Sequence, residues 1–264
     1  MNVIEIDGLR IAYERVGRGP PLVLVHGYVA DGPTTWRQQL EALSDDFTLV
    51  AWDAPGAGSS SDPPQSFGMA GYADCLAGFI DKLGLDRPHV AGLSFGGALA
   101  LELHRRHPAI AATLTLVSAY AGWRGSLPPE AAEQRLRQAH ELADLSPEEF
   151  VETLLPTMFS EKTSPDVVEE FRMSMLAVHR VGFRAMAEAL AEDLRDALPR
   201  IDIPTLLVYG DKDVRAPLAV AEALRAAISC SKLVVLTGAG HLCNVEAPRQ
   251  FNEALRSFLL DRSD

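Results

Sequence analysis

Residues 89–100 read HVAGLSFGGALA. After His89 the next four are apolar and the run is bounded by Pro88, as expected of a strand buried on both faces. The last few begin a helical pattern running over Gly96–His107 and stopped by Pro108. Between them, Gly92-Leu93-Ser94-Phe95-Gly96 has the spacing G-x-S-x-G. A strand that turns sharply into a helix presents the middle serine at the helix N-terminus. Gly92 and Gly96 have no Cβ, so strand and helix can approach closely. Developing negative charge on Ser94 Oγ would be favoured there by the helix dipole. Ser94 is the candidate nucleophile.

Outward from this segment the chain alternates strand and helix. Towards the N-terminus, Val3–Ile6 and Leu9–Val16 read as two strands joined by a turn at Asp7-Gly8. Pro21–Val25 and Phe47–Trp52 read as buried strands, and Thr34–Leu43 and Gly68–Leu83 as helices. Thr113–Ser118 is a further strand. The alternation then stops. Residues 120–198 hold helical segments around Glu130–Leu142, Pro147–Leu154, Pro165–Val178 and Gly182–Leu198, with no convincing strand. It resumes with strand Pro204–Tyr209, helix Leu218–Ile228, strand Lys232–Leu236 and a closing helix over Glu246–Leu260. The pattern predicts an α/β fold with a mostly parallel eight-stranded sheet flanked by helices. Residues 1–119 and 199–264 form the core, and 120–198 a helical cap, or lid, inserted after strand 6.

Ligands of open α/β sheets bind beyond the C-terminal strand ends, so the chemistry is sought there. A serine hydroxyl needs a general base, itself oriented by a carboxylate. Of the seven histidines, only His241 follows a late strand, in the glycine-rich loop 237–241. His26 also ends a strand but reads as a loop-organising residue. The acid is expected between serine and histidine, after strand 204–209, where both Asp211 and Asp213 stand. Asp211 can alternatively brace the turn. An oxyanion hole needs two N–H donors. One is expected from Phe95, after the nucleophile, and one from the loop His26-Gly27-Tyr28-Val29, with Tyr28 preferred over Val29.

Taken together, His26-Gly27, Asp53–Ser59, Gly92–Gly97, Gly210–Asp213 and Gly240-His241 resemble the α/β-hydrolase superfamily. The likeness is to its small serine esterase, enol-lactonase and non-haem haloperoxidase-like group. It covers nearly the whole chain and is weakest over 120–198. The resemblance implies that the acid is Asp213, three residues after Gly210. It implies cleavage of a carboxylic ester or lactone of a small to medium, largely apolar substrate through an acyl-enzyme. Ser94 in place of an aspartate nucleophile argues against dehalogenase and epoxide hydrolase chemistry. Leu242, where carbon–carbon bond hydrolases often carry tryptophan, lowers that reading. Carbon–carbon bond hydrolysis of a diketone, cofactor-free haloperoxidase or perhydrolase activity, and a non-catalytic small-ligand receptor are the rivals.

Gly27, Trp123, Met158, Phe159, Met175 and Leu242 are the candidate pocket residues, within a methionine-rich apolar set suited to varied substrate shapes. Arg124 and Arg180 are candidate partners for a substrate carboxylate. No metal and no organic cofactor is implied. The 264 residues carry a net charge of −12, which disfavours nucleic acid and anionic membrane surfaces as partners. Three scattered cysteines make no disulfide framework. With no signal-like N-terminus and no transmembrane-length apolar run, the expected location is the cytoplasm.

Overall fold

The structure is a computed structural model and describes residues 1–260. Eight strands form one sheet: β1 Asn2–Ile6, β2 Leu9–Gly17, β3 Pro21–Val25, β4 Thr48–Trp52, β5 His89–Leu93, β6 Thr113–Val117, β7 Thr205–Gly210 and β8 Ser231–Leu236. Their spatial order is β1-β2-β4-β3-β5-β6-β7-β8. The β1–β2 and β2–β4 pairs are antiparallel and every later pair is parallel.

Every residue of β5, β6 and β7 is buried, because helices cover both faces. The helices of the core are α1 Gly32–Leu43, α2 Gly68–Lys82, α3 Phe95–Arg106, α9 Leu218–Ala227, α10 Cys243–Glu246 and α11 Pro248–Leu260. α1 packs with α10 and α11, while α2 packs with α3. Trp36, on α1, meets Phe251 of α11, with ring centroids 6.1 Å apart. The closing helix expected over Glu246–Leu260 is α11, which begins at Pro248, while the short α10 precedes it and ends at Glu246.

Strand order reverses around β3, which lies between β4 and β5. At such a switch point the loops leave towards opposite faces and open a crevice beyond the strand ends. The loops after β3 and β5 carry Tyr28 and Ser94 into that crevice.

Between β6 and β7 the chain makes α4 Trp123–Ser126, α5 Pro129–Asp144, α6 Pro147–Leu154, α7 Pro165–Leu176 and α8 Arg180–Leu190. Ser146 and Glu149 form a full capping box that starts α6. α8 ends eight residues before the expected Leu198. Arg195 N donates to Asp193 Oδ1 at 3.1 Å, and this local side-chain bond competes with helix continuation. Leu194 N instead donates to Ala121 O at 2.9 Å, and Glu192 Oε1 accepts from Met69 N at the start of α2.

Two contacts seat these helices on the core. Ser174 Oγ donates to Asp31 Oδ2 at 3.0 Å, while Asp31 Oδ1 accepts from Thr34 N and caps α1. Gly182 of α8 lies against Gly56, and a Cβ on Gly182 would stand 1.9 Å from the Gly56 carbonyl oxygen. Alanine in a helix interior ordinarily gains about 1 kcal/mol over glycine. Here the obstacle is backbone, which cannot rotate aside, and overpacking of this kind costs about 1–3 kcal/mol. Gly182→Ala is therefore expected to lower the melting temperature by roughly 2–10 °C. A rise on thermal unfolding would refute the close approach.

Candidate active site

The β5–α3 turn brings main chains together at two glycines. A Cβ on Gly92 would lie 2.1 Å from Gly96 O, and one on Gly96 2.3 Å from Val25 O of β3. Helix α3 is thereby drawn against β3 and β5, and the residue at the bend takes φ 52°, ψ −107°. That residue is Ser94. Such a backbone costs about 1–3 kcal/mol in a non-glycine residue and persists only where its surroundings over-determine it. They do so here: Ser94 N donates to Val117 O of β6 at 2.8 Å, and Ser94 O accepts from Gly97 N and Ala98 N. The amides of Phe95 and Gly96, in the first turn of α3, have no acceptor within the helix.

His241 stands after β8 and is 2 % exposed. Its Nδ1 donates to Asp213 Oδ2 at 2.9 Å, which leaves Nε2 unprotonated in the neutral ring. Asp213 Oδ1 accepts from the amides of Arg215 and Ala216, both at 2.8 Å. Burial alone would raise the Asp213 pKa. The attraction of His241, its hydrogen bond and the two amides outweigh burial, and the carboxyl is held below its ordinary value. Asp211 instead braces the turn after β8, where its Oδ1 accepts from Gly238 N at 2.6 Å. Of the two aspartates, only Asp213 reaches His241.

The remaining histidines are engaged elsewhere. His26 Nε2 accepts from Ala54 N at 2.9 Å and its Nδ1 donates to Gly27 O. Both nitrogens are used, and burial holds its pKa down despite the nearby Asp53 carboxylate. Asp53 in turn accepts from Gly32 N and Ser59 N. The Asp53–Ser59 loop is thus a structural clamp. Burial pushes the Cys243 thiol well above its ordinary pKa, which suits packing rather than chemistry.

Ser94 and His241 line one small cavity with Gly27, Tyr28, Thr35 and Leu242. Val29, Ala30, Leu93, Met158 and Phe171 complete its wall. Its free volume is about 10 Å³, room for one water. Of the expected pocket residues, Gly27, Met158 and Leu242 are in this wall. Trp123, Phe159 and Met175 are not. Trp123 packs edge-on behind Tyr28, at 6.2 Å between centroids. Phe159 packs behind Phe171 at 5.6 Å, and Met175 is buried on α7. Their apolar side chains mark all three as packing residues, yet the sequence does not say which layer lies next to the cavity.

Thr35 carries no signal in the sequence. Its Oγ1 is buried and has no hydrogen-bond partner among the described residues, so the wall holds a polar group free to meet substrate or water. Glu246 is equally silent in the sequence. Its carboxylate accepts from Gly240 N, Ser160 N and Thr163 Oγ1, which ties the His241 loop to the inserted helices. Arg124 pairs with exposed Glu133. Arg180 donates to Leu142 O and Ala143 O and lies over Phe150. Neither lines the Ser94 cavity. Among the described residues no group of three or more His, Cys, Asp or Glu could hold a metal ion, and no helix is long and apolar enough to cross a membrane.

Comparison with known proteins agrees with this geometry. The chain is similar to the AB hydrolase superfamily protein YisY of Bacillus subtilis (strain 168), with 30% identity over 250 residues and 93% of each chain covered. Among solved structures, a thermophilic esterase from Thermogutta terrifontis superposes with TM-score 0.89 at 33% identity, over 99% of this chain and 97% of that one. The enol-lactonase of Burkholderia xenovorans LB400 superposes with TM-score 0.89 at 25% identity, over 98% and 100%. The profile of the alpha/beta hydrolase fold family matches residues 20–248, and with β3 to β8 and the serine turn all inside that span, this chain belongs to that family.

Proposed function

We propose that the protein is a serine hydrolase that cleaves a carboxylic ester or lactone through an acyl-enzyme. The observation that carries this reading is one cavity wall shared by Ser94, at its strained bend, and His241, whose far nitrogen is anchored on buried Asp213. The similarity to an esterase and an enol-lactonase supports the same class.

In this reading His241 Nε2 takes the Ser94 proton as Oγ attacks the substrate carbonyl carbon. The carbonyl oxygen becomes an oxyanion, held by the amides of Phe95 and Tyr28. Each such donor is worth about 3–4 kcal/mol in the transition state. The tetrahedral adduct collapses, the bond to the leaving oxygen breaks, and His241 returns the proton to the departing alcohol. Water, deprotonated by His241, then attacks the acyl-enzyme and releases the acid and free Ser94. Asp213 keeps the imidazole in the required tautomer and stabilises its protonated form.

The inserted helices act as a cap over this chemistry. Met158 and Phe171 close the cavity from the cap side, and Leu242 N donates to Met158 O at 3.2 Å. With room for about one water, an acyl chain enters only as cap side chains move.

Ser94→Ala is expected to lower kcat for nitrophenyl butyrate at least about a thousand-fold while leaving the fold intact. Retained hydrolysis would end the reading. A fluorophosphonate is expected to label wild type at Ser94 alone, as read by mass spectrometry of the digest.

Asp213→Asn is expected to lower kcat by about 10⁴. The substitution also has a pH signature. A carboxyl whose pKa is depressed on folding stabilises the protein above its unfolded value, about 3.9, and loses that contribution as pH falls through the folded value. Urea unfolding should therefore show wild type more stable than Asp213→Asn at pH 7, with the gap closing below pH of about 4. A gap independent of pH would mean that Asp213 is not held ionised by its partners.

A further inference from the structure

Tyr28 lines two spaces, the 10 Å³ cavity of Ser94 and an outer cleft of about 550 Å³ between core and cap. Two arginines stand in the wall of that cleft. Arg215 lies over the Tyr28 ring, 5.7 Å from its centroid, and donates to Tyr28 Oη and, at 3.0 Å, to Thr157 Oγ1 of the cap. Arg135 lies over the Trp123 and Tyr120 rings at 5.9 and 5.6 Å. It donates to Tyr120 Oη at 2.7 Å and Arg215 O at 3.1 Å.

These two guanidinium groups have neutral partners only, in a protein of net charge −12. Among the described residues neither forms an ion pair. Glu141 is the sole acidic residue of the cleft wall, and it is exposed. Ten other basic side chains, by contrast, pair with aspartate or glutamate. Two partly buried like charges without an anion between them repel, and each retains N–H groups without a partner. The remaining wall includes Leu142, Leu145, Leu154 and Val214, which suit an aliphatic chain.

We infer that Arg135 and Arg215 form an anion subsite for a substrate carboxylate, so that the preferred ester or lactone carries a carboxylate group beyond its scissile bond. This rests on the hydrolase reading of Ser94. A carboxylate is a stronger partner for a guanidinium than a phenol, since both groups of the pair are charged. It takes the place of Tyr28 Oη on Arg215 and loosens the hold on a residue that lines both the cleft and the Ser94 cavity. Carboxylate recognition and access to the nucleophile are then one event. Arg124 and Arg180, the candidates from sequence, are held by Glu133 and by backbone carbonyls and do not serve this purpose.

The test compares p-nitrophenyl butyrate with the mono-p-nitrophenyl ester of glutaric acid, a similar chain ending in a carboxylate. Wild type is expected to show the higher kcat/KM on the anionic ester. In Arg135→Gln the anionic-to-neutral ratio should fall roughly 10- to 100-fold, the loss of one charged hydrogen bond. Arg135→Lys should restore part of it, and 0.5 M NaCl should shrink the wild-type preference. Calorimetry with glutarate reads the subsite without turnover, with binding to wild type expected and binding to Arg135→Gln lost. Equal ratios in all three proteins, with no glutarate binding, overturn the subsite and leave the hydrolase reading standing. Arginine-dependent glutarate binding without turnover of either ester does the reverse.

Discussion

The close approach of α3 to β3 and β5 is the constraint on which the rest of the molecule depends. It is possible only because residues 92 and 96 have no side chains to interpose, with backbone oxygen lying 2.1 and 2.3 Å from where their Cβ atoms would be. With strand and helix that near, the chain must reverse within one residue, and Ser94 absorbs the reversal at positive φ. The same geometry points the first amides of α3 into the crevice where the sheet order switches. The proposed nucleophile and the backbone amides proposed to stabilise the anion thus follow from one packing event. The cost in strain is offset by the hydrogen bonds from β6 and α3 that fix the bend.

The acid loop is clamped with comparable thoroughness. Asp213 faces inward to His241 and two amides of its own loop. The Arg215 carbonyl faces outward to Tyr120 Oη and Arg135, and the Arg215 side chain spans to the Tyr28 loop and to Thr157 of the cap. Glu246 links the His241 loop to residues 160 and 163 in a similar way. The loops after β3, β7 and β8 are thereby joined to each other through side chains, and the inserted helices are joined to all three. A buried carboxylate with this many partners remains ionised without an outside counterion.

Strands of the sheet were legible because burial on both faces writes an uninterrupted apolar run, and β3 and β5 fall on the residues expected of them. The cap was legible as helices but not as a wall. Apolar character marks Trp123, Phe159 and Met175 as packing residues; it does not distinguish contact with the cavity from contact with Tyr28, Phe171 or other neighbours. The overrun of α8 past Leu190 has a related cause, since the apolar pattern continues through Leu194 and Leu198 while the backbone has already left the helix. Ser94 and His241 were singled out because strand-end position and chain order limit the choices, which left Asp211 and Asp213 both open until the family resemblance favoured Asp213. Arg135 and Arg215 could not be found that way. They are 80 residues apart, and what sets them apart is that two cations with neutral partners only stand together in one cleft wall, a property of assembled structure alone.

That distribution has a physical logic. The machinery proposed for bond cleavage is built from backbone amides and buried side chains at strand ends, where the sheet holds them to within fractions of an ångström. The arginines lie instead on aromatic faces at the seam between core and cap, and their hydrogen-bond partners are the hydroxyls of Tyr28, Thr157 and Tyr120 and the Arg215 carbonyl. A neutral hydroxyl binds a guanidinium firmly enough to order it and weakly enough to be displaced by a charged oxygen. A carboxylate from the protein in that position would have made the seam permanent. Leaving these two cations without an acidic partner keeps Tyr28 replaceable, and a closed cavity of one water's volume can then open to a substrate that brings the missing charge.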